Sequence, residues 1–130
     1  MSTIHKLGDL QLSILQVLWR QGEATVAEVH ADLQPERGLA PTTIATMLTK
    51  MEKKGVVSHR TEGRRFVYQP EVSESEVCQT MVGTLTDQLF RGRPAALVSY
   101  LLSEHEIDPQ ELTRLRQLMD QLEEKEQEES

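Results

Sequence analysis

Between residues 9 and 21 the apolar residues Leu10, Ile14, Leu15, Leu18 and Trp19 recur at the spacing of one helical face, and Gly22 follows where a C-terminal cap belongs. This predicts a first helix. Thr25-Val-Ala-Glu28 has the form of a capping box, in which hydroxyl and carboxylate each satisfy an orphan amide. Val26, Val29 and Leu33 then supply the apolar face of a short second helix ending near Gln34, and Pro35-Glu-Arg-Gly38 reads as a turn. A third helix is predicted over residues 41–54, with Pro41 at the first position, where its missing N–H is no loss, and Gly55 closing it. Ile44, Met47, Leu48 and Met51 share one side of this helix; Thr42, Thr46, Thr49 and Lys53 share the other. Two short β-rich runs, VVSHRT and RFVYQ, flank Glu62-Gly63-Arg64 and predict a hairpin over residues 57–69.

Past Pro70 the pattern is helical throughout. Ser73-Glu-Ser-Glu76 is a second capping box, opening a helix through Val77, Met81, Leu85 and Leu89 that stops at Arg91-Gly92. Pro94 begins a short helix with Leu97, Val98, Leu101 and Leu102 apolar. Asp108-Pro109-Gln110-Glu111 starts the last helix with an N-cap, a first-turn proline and an acid near the dipole. Its apolar residues Leu112, Leu115, Met119 and Leu122 step by three, four and three, the spacing of a seam between helices. From Glu123 the tail is charged and is expected to fray. The fold class is therefore mostly α with a small β-hairpin wing. A winged helix-turn-helix domain over residues 1–72 precedes a helical dimerisation region with a charged tail over residues 73–130.

A chain of 130 residues with a net charge of −7 argues against nucleic acid as a partner until the charge is located. Residues 1–72 hold nine Lys/Arg against eight Asp/Glu, whereas residues 73–130 hold five against thirteen. Lys50, Lys53, Lys54, Arg60, Arg64 and Arg65 lie close together with only Glu52 and Glu62 among them, and local charge is what phosphates feel. The acidic second half would keep that end of the protein away from phosphates. No apolar run approaches the length of a membrane span and the start has no secretory pattern, so a cytoplasmic protein with no membrane partner is expected. Cys78 is the only cysteine, which leaves no intrachain disulfide and no thiolate metal cluster. His5, His30, His59 and His105 are scattered without metal-ligand spacing. No nucleophile–base arrangement, phosphate loop or dinucleotide motif is present, so neither catalytic residues nor a metal or other cofactor are expected.

The segments LGDLQLSILQVLW, ATVAEVHADL, RGLAPTTIATMLTKMEKKGVV, RTEGRRFVYQP, PAALVSYLL and DPQELTRLRQLM, in this order, resemble the penicillinase-repressor (BlaI/MecI) family along nearly the whole chain. The resemblance implies a winged-helix domain, C-terminal dimerisation and repression from a two-fold-symmetric operator, with an upstream sensor or anti-repressor as a further partner. In the β-lactamase repressors a membrane sensor-peptidase signals antibiotic, and repression ends when the C-terminal region is cut at an Asn-Phe bond. This sequence contains no asparagine, and the corresponding bond falls near Tyr100-Leu101, so that step does not carry over. Nor does the cysteine-rich metal hook of the copper-responsive relatives, given Cys78 alone.

An α-helix fits the major groove, where short polar side chains reach base edges, so Thr42, Thr43, Thr46 and Thr49 are the groove-facing candidates. The alternative is that these threonines merely face solvent. Lys50 and Lys53, with Arg60, Arg64 and Arg65 of the wing, are the phosphate candidates; Lys50, Lys53 and Lys54 equally suit the C-terminal end of a helix dipole, and the arginines equally suit a solvated loop. Phe66, Val67 and Tyr68 are expected to pack the wing on the helices rather than to stack on bases. Val77, Met81, Leu85, Leu89, Leu97, Leu101, Leu112, Leu115, Met119 and Leu122 are the dimerisation candidates, their helices being too few to bury these seams alone. A homodimer would place two third helices in successive major grooves of a palindromic operator. A ligand- or metal-sensing repressor on the same scaffold, and an interaction module that binds no DNA, are the alternatives.

Overall fold

The computed structural model describes residues 7–129, apart from the Glu36 side chain. Helix α1 (Asp9–Gln21) ends at Gly22, whose positive φ of 86° lets its N–H donate to the Leu18 carbonyl at 2.7 Å. Strand β1 (Ala24–Thr25) leads into α2 (Val26–Arg37), and α3 (Pro41–Lys53) is followed by the hairpin of β2 (Val57–Glu62) and β3 (Arg65–Pro70). Within the hairpin Val57 pairs with Pro70 and Glu62 with Arg65, and Gly63 turns the chain with φ 64°. The sheet has three antiparallel strands in the order β1-β3-β2, since Ala24 pairs with Tyr68 and Thr25 with Val67. The expected two-stranded wing therefore gains a strand, too short to carry an alternation of its own.

Apolar faces of the three helices close on one core. Ile14, Leu15, Leu18, Ile44, Leu48 and Met51 are fully buried, with Val29, Val56, Val57 and Tyr68 around them. This core fixes the rotation of α3, and with it the side turned outward. At the start of α2 the Thr25 hydroxyl accepts from the Glu28 N–H at 3.2 Å and the Glu28 carboxylate accepts from the Thr25 N–H at 2.9 Å. The Thr25 amide, then its hydroxyl, hold the Glu28 carboxyl below the usual carboxylate range. That stabilisation is present above the unfolded value and is lost as pH falls through the lowered folded one. Thr25→Ala is expected to destabilise the protein by about 1 kcal/mol, read as a lower denaturant midpoint at unchanged m-value; an unchanged midpoint refutes it.

Helix α2 corrects one expectation. It does not end near Gln34 but runs through Pro35 to Arg37, with left-handed Gly38 as its cap and the Gly38 N–H on the Gln34 carbonyl at 3.0 Å. Proline removes one ladder bond. Here it falls in the last turns, between the buried Leu33 and an Arg37 guanidinium that donates to Ser13 Oγ at 2.9 Å.

Helix α4 (Glu74–Phe90) opens on the expected box, the Glu76 N–H donating to Ser73 Oγ at 3.0 Å and the Ser73 N–H to the Glu76 carboxylate at 3.1 Å. It stops where Arg91 and Gly92 take positive φ. The chain divides into two compact units, one ending at Leu85 and the other beginning at Thr86, so the division falls inside α4, beyond the change in composition. Two features tie the start of α4 to the first unit: Trp19 Nε1 donates to the Val72 carbonyl at 2.9 Å, and Val72 packs on the core.

The second unit contains the end of α4, α5 (Pro94–Glu104) and α6 (Pro109–Glu129). The Asp108 carboxylate caps α6 by accepting from the Glu111 N–H at 2.8 Å. The tail expected to fray from Glu123 instead continues the helix to Glu129, in keeping with its run of Glu, Gln and Lys, all good helix formers. No helix among the described residues is long and apolar enough to cross a membrane.

Candidate nucleic-acid interface

Burial of Ile44, Leu48 and Met51 turns Thr42, Thr43, Thr46 and Thr49 to the exposed side of α3. Thr42, Thr43 and Thr46 are available for contact. Thr49 is committed locally: its hydroxyl donates to the Ala45 carbonyl at 3.0 Å and meets the Tyr68 side chain. Burial, and after it the nearby Glu52 charge, push the Tyr68 phenol above its ordinary value, so it stays neutral.

The six clustered bases separate into distinct roles. Lys50 and Lys53 are exposed in the last turn of α3, and Arg64 and Arg65 are exposed at the wing tip. Among the described residues no carboxylate pairs with these four, although Arg65 lies close enough to Glu28 to favour its ionised form. Lys54 turns inward, its ammonium donating to Gln11 Oε1 at 3.4 Å while Gln11 Nε2 donates to Met47 Sδ at 3.2 Å. Arg60 is engaged within the chain. It is held in a bidentate pair with Glu23 and donates to Glu62 Oε2 at 2.9 Å; the Arg60 guanidinium holds the Glu23 carboxyl below its ordinary value, and Glu23, then Glu62, hold Arg60 above its own. A guanidinium shared between two carboxylates carries little net charge toward a phosphate, although exposed pairs of this kind are individually weak.

The apolar residues of the wing divide as well. Val67 and Tyr68 are buried as expected, but Phe66 is 48% exposed near the tip, where its strand leaves the helices behind. It stacks on His59 with ring centroids 4.2 Å apart. Cys78 is exposed, and no three His, Cys, Asp or Glu residues among those described gather as a metal site; His5 lies outside the described residues.

A second surface lies on the C-terminal unit. A groove of about 990 Å³ runs between α5 and α6, lined by Val98, Leu102, Leu112, Leu115, Leu118 and Met119 among others. Leu97, Leu112 and Leu115 are half-buried, whereas Leu101 is exposed, Met119 is 61% and Leu122 67% exposed, and no residue of α5 or α6 is buried. On α4, Met81 is half-buried, and Leu85 and Leu89 are exposed. Val77, by contrast, is only 2% exposed within the single chain. Leu118 also lines the groove, beside the Leu115–Met119–Leu122 seam, where a single row of three-and-four steps passes over it.

Three helices packed on one core, the third presenting short polar side chains and two cations, and a twisted hairpin with two more at its tip define a winged helix-turn-helix transcriptional regulator. The chain belongs to the penicillinase repressor family, whose model matches residues 7–121. It is 33% identical over 126 residues to the transcriptional regulator BlaI of Mycobacterium tuberculosis, covering 95% of this chain and 89% of that protein. With the penicillinase repressor of Bacillus licheniformis it shares 28% identity over 121 residues, covering 93% and 94%. The solved structure of monomeric Bacillus licheniformis BlaI in complex with the blaP half-operator is similar at a TM-score of 0.50 and 37% identity, covering 58% of this chain and 93% of that one.

Proposed function

We propose that the protein is a cytoplasmic homodimeric repressor, each copy presenting α3 to a major groove of a palindromic operator and its wing tip to the flanking backbone. The observation that carries this reading is the exposed Thr42–Thr43–Thr46 face, bordered by four cations without ion-pair partners among the described residues, on a fold shared with a relative solved on its half-operator. In this reading the threonines read the groove, with hydroxyls for base edges or phosphate and methyls for thymine, while Lys50, Lys53, Arg64 and Arg65 neutralise phosphates. The apolar groove of α5 and α6 is the surface a second copy covers. An upstream sensor or anti-repressor would release the operator by a route other than Asn-Phe cleavage, since the chain has no asparagine.

The test is binding to duplexes selected by the protein from a randomised pool, measured across salt concentrations. Affinity is expected to fall steeply with salt, and the slope of Arg64→Gln/Arg65→Gln is expected to be shallower by about two, one per lost phosphate contact. Arg60→Gln should keep close to the wild-type slope, its charge being already shared with Glu23 and Glu62. Salt-insensitive binding that is the same for all three proteins would sink the reading and leave a protein-interaction module in its place.

A further inference from the structure

Between α3 and the wing lies a cleft of about 440 Å³ that the groove-reading face does not use, lined by Thr49, Glu52, Lys53, His59, Phe66 and Tyr68. At its centre His59 Nδ1 sits 2.6 Å from Glu52 Oε1. An ionised carboxylate only accepts, so Nδ1 carries a proton, and the second proton of the ring is gained or lost at Nε2. Nε2 has no hydrogen-bond partner among the described residues. Ring orientation is fixed by Phe66, stacked at 4.2 Å and 26°, and by Tyr68 at 5.3 Å. The arrangement is a histidine held by a carboxylate on one side and left open on the other.

We propose that this cleft seats one backbone phosphodiester of bound DNA, with Lys53 and the Nε2–H of protonated His59 holding the phosphate and the exposed Phe66 ring against the adjoining deoxyribose. The inference rests on the DNA-binding reading. A duplex engaged both by α3 and by the wing tip carries its backbone across the gap between them, and that gap is the cleft.

Protonation of His59 decides whether the seat attracts an anion. The groups facing it are Glu52 and Lys53 from α3 and Tyr68 from β3, with no other charged residue lining the cleft among the described residues. With His59 protonated, the histidine cancels Glu52 and Lys53 leaves one net positive charge. With His59 neutral, Glu52 cancels Lys53, and Nε2 presents a lone pair to the phosphate. DNA affinity is therefore present below the imidazole range and lost as pH rises through it, and bound DNA must in turn raise the midpoint of His59. Because the contact is to backbone, the same pH dependence holds for a duplex of any sequence.

The experiment measures binding of the full chain to a duplex it has selected and to a random-sequence duplex, from about pH 5.5 to about 8.5, on either side of the ordinary imidazole value near 6.5. Wild type is expected to lose about tenfold in affinity for both duplexes over this range, the scale of one charge-assisted hydrogen bond. His59→Gln should be flat. In parallel, the ring resonances of His59 in the wild type, titrated with and without duplex, should show a higher midpoint with DNA bound, a readout independent of whether the variant folds. Identical pH profiles for wild type and His59→Gln, or a His59 midpoint that DNA leaves unmoved, overturn the seat while leaving operator binding intact. Failure of wild type to bind any duplex overturns both.

Discussion

Thr46→Asp is expected to lower affinity for a wild-type-selected duplex by roughly 100- to 1,000-fold while leaving the fold unchanged. Thr46 lies at the middle of the exposed face of α3, between Thr42 and Lys50. Aspartate replaces a hydroxyl that can donate or accept by a carboxylate that only accepts, and among base edges in the major groove that suits only an amino group such as that of cytosine. It also sets a negative charge between two phosphate strands. A lost base or phosphate contact is worth about 1–3 kcal/mol, repulsion adds to it, and each 1.4 kcal/mol is tenfold, which gives the range above. Thr46→Ala, losing the contact without the repulsion, should fall between aspartate and wild type. The side chain is exposed in a helix interior where threonine and aspartate have similar propensity, so the thermal midpoint should hardly move. Binding by Thr46→Asp within about threefold of wild type would take α3 out of the groove.

Features that depend on neighbours in sequence were legible before the structure, and those that depend on distant partners were not. The bounds of α1, both capping boxes, the orientation of α3 and the turn at Gly63 follow from spacing and from single residues with strong local preferences. Arg60 shows the limit. Its type and its place on the wing suit phosphate, but its fate is set by Glu23, 37 residues earlier, which only the pairing of β1 with β3 brings alongside. The strand β1 itself exists because Ala24 and Thr25 meet Tyr68 and Val67, and two residues have no period to read. Lys54 follows the same rule, drawn inward by Gln11, 43 residues away. Phe66 was expected inside because it is large and apolar in a strand, yet burial there is decided by how far the helices reach along the hairpin. The His59–Glu52–Phe66 cluster combines a helix with two strands, and nothing in the spacing of those residues announces it.

Leu115→Asp/Met119→Asp is expected to halve the mass in solution, from twice 14.8 kDa to 14.8 kDa, and to weaken binding to a full palindromic duplex by about 10² to 10⁴. The first effect follows from the groove between α5 and α6, where Leu115 is half-buried and Met119 exposed in a helix with no buried residue. A single chain has too little apolar surface behind these residues to cover them, and two carboxylates in a joint between copies would be desolvated without partners. The second effect is one of effective concentration. When two copies are joined, docking one α3 delivers the other to its half-site at millimolar effective concentration, and separated copies lose that gain without losing any contact of their own. Affinity for a half-site duplex should therefore be unchanged, which separates loss of dimerisation from damage to the winged-helix domain. If the variant keeps the double mass and wild-type affinity for the palindrome, the α5–α6 face is not the joint. If half-site binding falls as far as palindrome binding, the substitutions have acted through the fold, and the partner of this surface must be sought elsewhere.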